Sequence, residues 1–145
     1  MQVSRKKSTI TQAAAKALAE AAIAAATERG LAIGVCITDA EGAPVALLRM
    51  DGVGAPIVEF CSEKAYTSAV TGAATRDFHA HMASSPSLQM GMTGRPRFLV
   101  WGGGLPVEYG GETIGGIGIS GGTEDQDIEV AAAALAALEL AVKSR

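Results

Sequence analysis

The stretch Arg97-Phe98-Leu99-Val100-Trp101-Gly102-Gly103-Gly104-Leu105-Pro106-Val107-Glu108-Tyr109-Gly110-Gly111-Glu112-Thr113-Ile114-Gly115-Gly116-Ile117-Gly118-Ile119-Ser120-Gly121-Gly122-Thr123-Glu124-Asp125-Gln126-Asp127 decides the architecture. Three short β-type runs, Phe98–Trp101, Leu105–Tyr109 and Thr113–Ser120, are set among glycines. Gly110-Gly111 suits the two-residue primed turn that joins neighbouring antiparallel strands. The acids Glu124, Asp125 and Asp127 then open a helix running to about Val142, with an apolar stripe of Ile128, Ala131, Leu135, Leu138 and Val142. Glycines gathered between strands and a helix start mark backbone that turns tightly or lies close to another group. They locate a site better than they name its chemistry.

Upstream, Leu31 to Thr38 places Ile33, Val35 and Ile37 on one strand face. Asp39-Ala40-Glu41-Gly42 supplies turn residues, and Pro44 to Met50 returns as the second arm of a hairpin. Ahead of it, Thr9 to Arg29 is dominated by alanine with Leu18 and Ile23, a helix that Ser8 or Thr11 can cap at its start and Gly30 at its end. Pro56 to about Thr75 carries a helical stripe of Ile57, Phe60, Cys61, Lys64, Ala65, Ser68 and Gly72. Residues 84–96 contain Ser84-Ser85-Pro86 and Gly91-Met92-Thr93-Gly94-Arg95-Pro96 without a period, and read as a long loop. The expected order is α-ββ-α-βββ-α: one α+β domain over residues 1–145, an antiparallel β-sheet flanked by helices.

A chain of 145 residues with 48% apolar composition has material for one sizeable core. Its net charge of −3 argues against a surface that tracks nucleic-acid phosphates. The basic cluster Arg5-Lys6-Lys7 reads as a solvated terminus. The alanine-rich segment after it is interrupted by Lys16, Glu20, Glu28 and Arg29, so no stretch suits a membrane span or an export signal. Cys36 and Cys61 make neither a disulfide framework nor a metal-finger spacing. A cytoplasmic, reduced protein with no nucleic-acid or membrane partner is the expectation.

Lys64 falls within the apolar stripe of its helix, where a lysine must be paired, snorkel or face a cavity. Arg49-Met50-Asp51-Gly52 ends the second strand just before that helix, so Asp51 is the expected partner of Lys64, with Arg49 nearby. Such a group is either a structural ion pair or a polar pocket wall that orients an anion and carries protons. Gly116-Ile117-Gly118-Ile119-Ser120-Gly121 satisfies G-x-G-x-x-G, but too little chain follows for a second strand and its ribose-binding acid. The acids at the helix start would also repel a phosphate. Those glycines therefore serve either close strand–helix packing or a ligand that approaches bare backbone. His79 and His81, two apart, lie on opposite sides of a helix and read as surface histidines rather than one metal site. Met90 and Met92 suit local packing or a lid over a flat apolar ligand.

Thr38-Asp39-x-x-Gly42, Arg49-Met50-Asp51-Gly52, Glu63-Lys64-Ala65-Tyr66-Thr67, Gly102-Gly103-Gly104-x-Pro106 and Ile114 to Gly122 followed by Gln126-Asp127, taken in order, resemble the haem-binding/GlcG family, also called HbpS-like or haem-degrading domain of unknown function 336. The resemblance covers about residues 9–140. It implies a profilin-like α+β unit assembled into homo-oligomers, with haem as a possible ligand. Some members resemble domains fused to cobalamin adenosyltransferases, and others act as hydroxylaminobenzoate lyases. Haem-binding relatives can use a histidine in the first helix, and Thr9 to Arg29 holds none.

Two functions are therefore expected of the chain. One is a homo-oligomeric small-molecule carrier that takes haem or another planar or anionic ligand near Arg49, Asp51 and Lys64. Gly102, Gly103, Gly104, Gly116, Gly118, Tyr66 and Trp101 line its site, without a metal. The alternative is a lyase, isomerase or hydratase on a small carboxylic acid, working without a redox cofactor. In that scheme Lys64 or Asp51 transfers the proton, Arg49 holds a carboxylate, and the triple-glycine N–H groups face an oxyanion.

Overall fold

Thr11 caps the first helix, α1 (Gln12–Glu28), by accepting from the Ala14 N–H. Its far end closes with Gly30 at φ 66° while the Leu31 and Gly30 N–H groups return to Ala26 and Thr27, the paired bonds that end a helix at a left-handed glycine. The computed structural model describes residues 1–142. After α1 come β1 (Gly34–Asp39), β2 (Pro44–Arg49), α2 (Ala55–Thr71), α3 (Thr75–Met82), α4 (Pro86–Met92), β3 (Gly104–Tyr109), β4 (Glu112–Ser120), α5 (Glu124–Ala137) and the two-residue β5 (Ala141–Val142).

All pairings are antiparallel, in the order β2-β1-β4-β3-β5. Helices α1 and α5 cover one face of the sheet and α2 the other. Strand alternation explains this division. Val35, Ile37, Ile117 and Ile119 point into the cluster shared with Leu18, Ala22, Val130 and Leu135. The opposite face carries Gly34, Cys36, Thr38, Gly116 and Gly118 at the same positions. It is nearly flat, and α2 lies directly on it. Alanines on α1 and α5 keep those helices close to each other and to the sheet.

The fold class stands as read, but three boundaries move. Phe98–Trp101 is not a strand. The Leu99 N–H donates to Thr67 Oγ1 and the Trp101 carbonyl accepts from Thr75, so helix hydroxyls take the bonds a ladder would supply. The position beside β3 belongs to β5 instead, with Val107 opposite Val142. The last helix stops at Ala137 because Glu139 adopts φ 58° and Leu140 N–H returns to the Leu135 carbonyl, a glycine-type ending built without glycine. Residues 84–96 contain α4, capped by Ser85 with Pro86 in its first turn.

Candidate functional site

Lys64 leaves the sheet-facing side of α2 and is 2% exposed. Its Nζ donates to the Ile119 carbonyl at 2.8 Å and to Asp127 Oδ2 at 3.0 Å. The partner is thus Asp127 on α5, not Asp51. Asp127 is held in turn by the Gly122 N–H, which donates to Oδ1 at 2.9 Å. Burial raises the Asp127 carboxyl above the ordinary carboxylate range, and the Lys64 charge opposes that shift only in part. Nearby Glu124 pushes it the same way as burial.

The three acids that open α5 reach three different groups. Asp127 takes Lys64; Glu124 Oε1 accepts from the Gly102 N–H at 2.7 Å; Asp125 Oδ1 accepts from Arg76 Nη2 at 2.7 Å. Thr123 and Gln126 form a reciprocal cap that fixes this first turn. The triple glycine passes beneath it. At Gly103, φ 125°, a Cβ would lie 2.9 Å from Lys64 Nζ and 2.8 Å from Asp127 Cβ, so the ion pair fits only against bare backbone.

Above the pair opens a cleft of about 240 Å³ lined by Ile57, Phe60, Trp101, Ser120, Gly121 and Gly122, with Glu124 at the rim. Trp101, 49% exposed, stands edge-on to Phe60 with ring centroids 5.1 Å apart. The cleft therefore joins an aromatic wall, peptide backbone and a buried acid–base pair. A second cavity of about 320 Å³ shares Trp101 and Glu124 and adds Arg76, His79 and Val100. A third, of about 310 Å³, brings His79 together with Met82, Met92, Arg95 and Phe98.

Other expected site residues fall elsewhere. Arg49 ends β2 opposite Gly34, which in turn faces Ser120, so it stands two strands away from the cleft. Asp51 follows in an exposed turn, and neither residue lines the cleft. Tyr66 packs under the first hairpin, with its ring against Gly42, edge-on to Phe98 and covered by the Arg97 guanidinium at 3.8 Å. Gly116 and Gly118 face α2. A Cβ on either would overlap a carbonyl oxygen of Ala65 or Cys61, so helix backbone occupies the space a ligand would need. The Gly104 N–H donates to Thr75 Oγ1 and the Gly102 N–H to Glu124, so both amides are bonded within the chain and neither stands free as the expected oxyanion donor. Lys64, Trp101 and the glycines at 102–104 do converge. His79 and His81 are exposed on α3, and no group of three or more His, Cys, Asp or Glu among the described residues could hold a metal ion.

Residues 10–136 match the family described as haem degrading protein HbpS-like. The chain belongs to that family. A 15.0 kDa Citrobacter freundii protein of the dhaT-dhaS intergenic region is 35% identical over 93% of the chain and 96% of its own length. Klebsiella pneumoniae ORFY has the same fold, with a TM-score of 0.88, 31% identity and coverage of 96% of this chain and 97% of its own. A PduOC:heme complex superposes with a TM-score of 0.83 at 27% identity, covering 94% and 99%. The HbpS-like fold thus accounts for the whole sheet-and-helix frame around Lys64, and small-molecule or haem binding is the property its relatives suggest.

Proposed function

We propose that the protein binds a small molecule in the cleft above Lys64 and Asp127, with a flat apolar body against Trp101 and Phe60 and a polar edge at the ion pair. The observation that carries this reading is an ammonium group and a carboxylate, each 3% exposed, facing an aromatic-walled cleft rather than a sealed core. Two of the three ammonium protons are committed to Ile119 and Asp127, which leaves one to reach a ligand oxygen.

The same pair can move a proton. Asp127, with its raised proton affinity, is the base and Lys64 the adjoining acid, a combination suited to lyase or isomerase chemistry on a small carboxylic acid. Trp101 is the chain's one tryptophan, so its fluorescence reports the cleft directly. Titration with aromatic acids such as benzoate is expected to give a saturable change in the wild type that Lys64→Met abolishes. A change that persists undiminished in a folded Lys64→Met protein overturns the reading.

Haem calls for a different part of the molecule. The Lys64 cleft contains no histidine, cysteine or methionine to bind iron. Around the third cavity, His79, Met82 and Met92 supply imidazole and thioether groups of the kind that hold haem iron, Phe98 a ring face and Arg95 a cation for a propionate. Bound there, haem would supply iron-centred redox chemistry. Hemin titration should give a saturable Soret shift that is lost in His79→Ala and retained in Lys64→Met; unsaturable binding counts against it.

The homo-oligomer rests on β2, an edge strand that exposes Leu47 and Leu48. Light scattering of the wild type against Leu47→Glu/Leu48→Glu tests it, and a monomer in both removes it. Among the described residues no helix is long and apolar enough to cross a membrane.

A further inference from the structure

Trp101 and Glu124 line two cavities, the one over Lys64 and the one beside Arg76 and His79, and the buried Gly102 directly follows Trp101. What meets the Gly102 N–H is a carboxylate of the chain itself, Glu124 Oε1 at 2.7 Å. A second anion-binding group stands alongside. Arg76 Nε is 3.5 Å from the point where a Gly102 Cβ would sit, and its Nη2 is held at 2.7 Å by Asp125. The same point is 3.2 Å from Glu124 Cβ and 2.9 Å from Ile128 Cδ1, so a side chain at residue 102 would press on both and push Glu124 off its place. An exposed glutamate side chain thus spans from the helix start to a buried main-chain donor beside a guanidinium.

We propose that Gly102 N–H and the Arg76 guanidinium form a carboxylate-binding subsite that Glu124 fills until a ligand carboxylate displaces it. The inference rests on the reading of the adjoining cleft as a ligand site and adds which groups hold the ligand's carboxylate and what occupies that place without it. A displaced Glu124 is already at the surface and is fully solvated on release, while the incoming anion, which bears the desolvation cost, remakes the charge-assisted bond to Gly102. An aromatic acid anchored there would lay its ring along Trp101 and turn its other end towards Lys64 and Asp127. Specificity for acids over the matching alcohols follows from the geometry.

Benzoate and benzyl alcohol, titrated separately against the intact protein by Trp101 fluorescence, distinguish the outcomes. Glu124→Ala should bind benzoate about tenfold more tightly than wild type, since one charge-assisted bond no longer competes. Benzyl alcohol should be unaffected. Glu124→Gln, which keeps an acceptor on Gly102, should show a smaller gain, and adding Arg76→Met to Glu124→Ala should reverse it. Equal tightening for both ligands would mean that the cleft has merely been widened, and overturns the carboxylate claim. Unchanged, weaker or absent benzoate binding in Glu124→Ala makes Glu124 a structural brace and also overturns it. Benzyl alcohol binding that is lost in Lys64→Met, alongside such a failure, leaves the cleft reading in place and removes the subsite alone.

Discussion

Lys64 Nζ lies 3.0 Å from Asp127 Oδ2, joining the middle of α2 to the first turn of α5 across the end of the sheet. The bond ties together the two helices that cover opposite faces, and it closes against the backbone of Gly103.

Removing one partner leaves the other charge buried alone, which costs about 3–5 kcal/mol. Lys64→Met should therefore lower unfolding stability by that order. Lys64→Met/Asp127→Leu should recover most of the loss while still failing to bind ligand. Urea denaturation of both proteins measures this; a double variant as unstable as the single one would show that the pair holds the fold rather than the site.

The raised Asp127 carboxyl makes a signed prediction. The folded state holds this proton more tightly than the unfolded chain, whose carboxyl titrates near 3.8, so the group's stabilising contribution is complete below that value. It is lost as pH rises from there through the raised folded value. Asp127→Asn does not titrate, so the stability of wild type relative to this variant should fall with rising pH across that window and then level off. A difference that instead grows with pH would mean that the ammonium group outweighs burial.

The most crowded strand–helix contact is at Gly118. A Cβ there would overlap the Cys61 carbonyl and come within 2.5 Å of the Ala65 amide nitrogen, both backbone atoms of α2. Gly118→Ala should cost about 3 kcal/mol through displacement of the helix, and should shift Lys64 with it. Thermal denaturation tests the cost. A near-neutral substitution would show that α2 moves freely over the sheet.

Beneath the same helix the two thiols are kept protonated. Burial pushes Cys36 up to about 11 and Cys61 to about 12. Native protein at pH 8 should react with a disulfide reagent only as fast as it opens, and fully once denatured. Rapid native labelling would contradict that burial.

How far the chain can be read in advance depends on the kind of signal. Hairpins announced themselves through Asp39–Gly42 and Gly110-Gly111, and both φ values at the second turn are positive, 59° and 81°, as a primed turn requires. Lys64 was legible as a cation within an apolar stripe. Its partner was equally written, because Asp127 shares a helical face with Val130, Ala131, Ala134 and Leu135, but the stripe through Ile128 points about one residue away from the buried one. One acid and one base, each alone on a buried face, are a pairing signal stronger than nearness in sequence, which favoured Asp51. The role of Gly116 and Gly118 turned on whether helix or ligand covers them, and only the placement of α2 decides that. Glu124 and Arg76 could not be found from spacing, since a backbone N–H is their common partner.

The central claim is that a ligand lies over Lys64 and Asp127. Amide shift mapping with benzoate tests it most directly: the perturbed signals should cluster at Gly102, Ser120, Gly122 and the Trp101 indole N–H. Perturbations confined to a separate apolar cavity of about 460 Å³, lined by Ile10, Tyr109, Ile114 and Leu140, or none at saturating benzoate, would contradict the account.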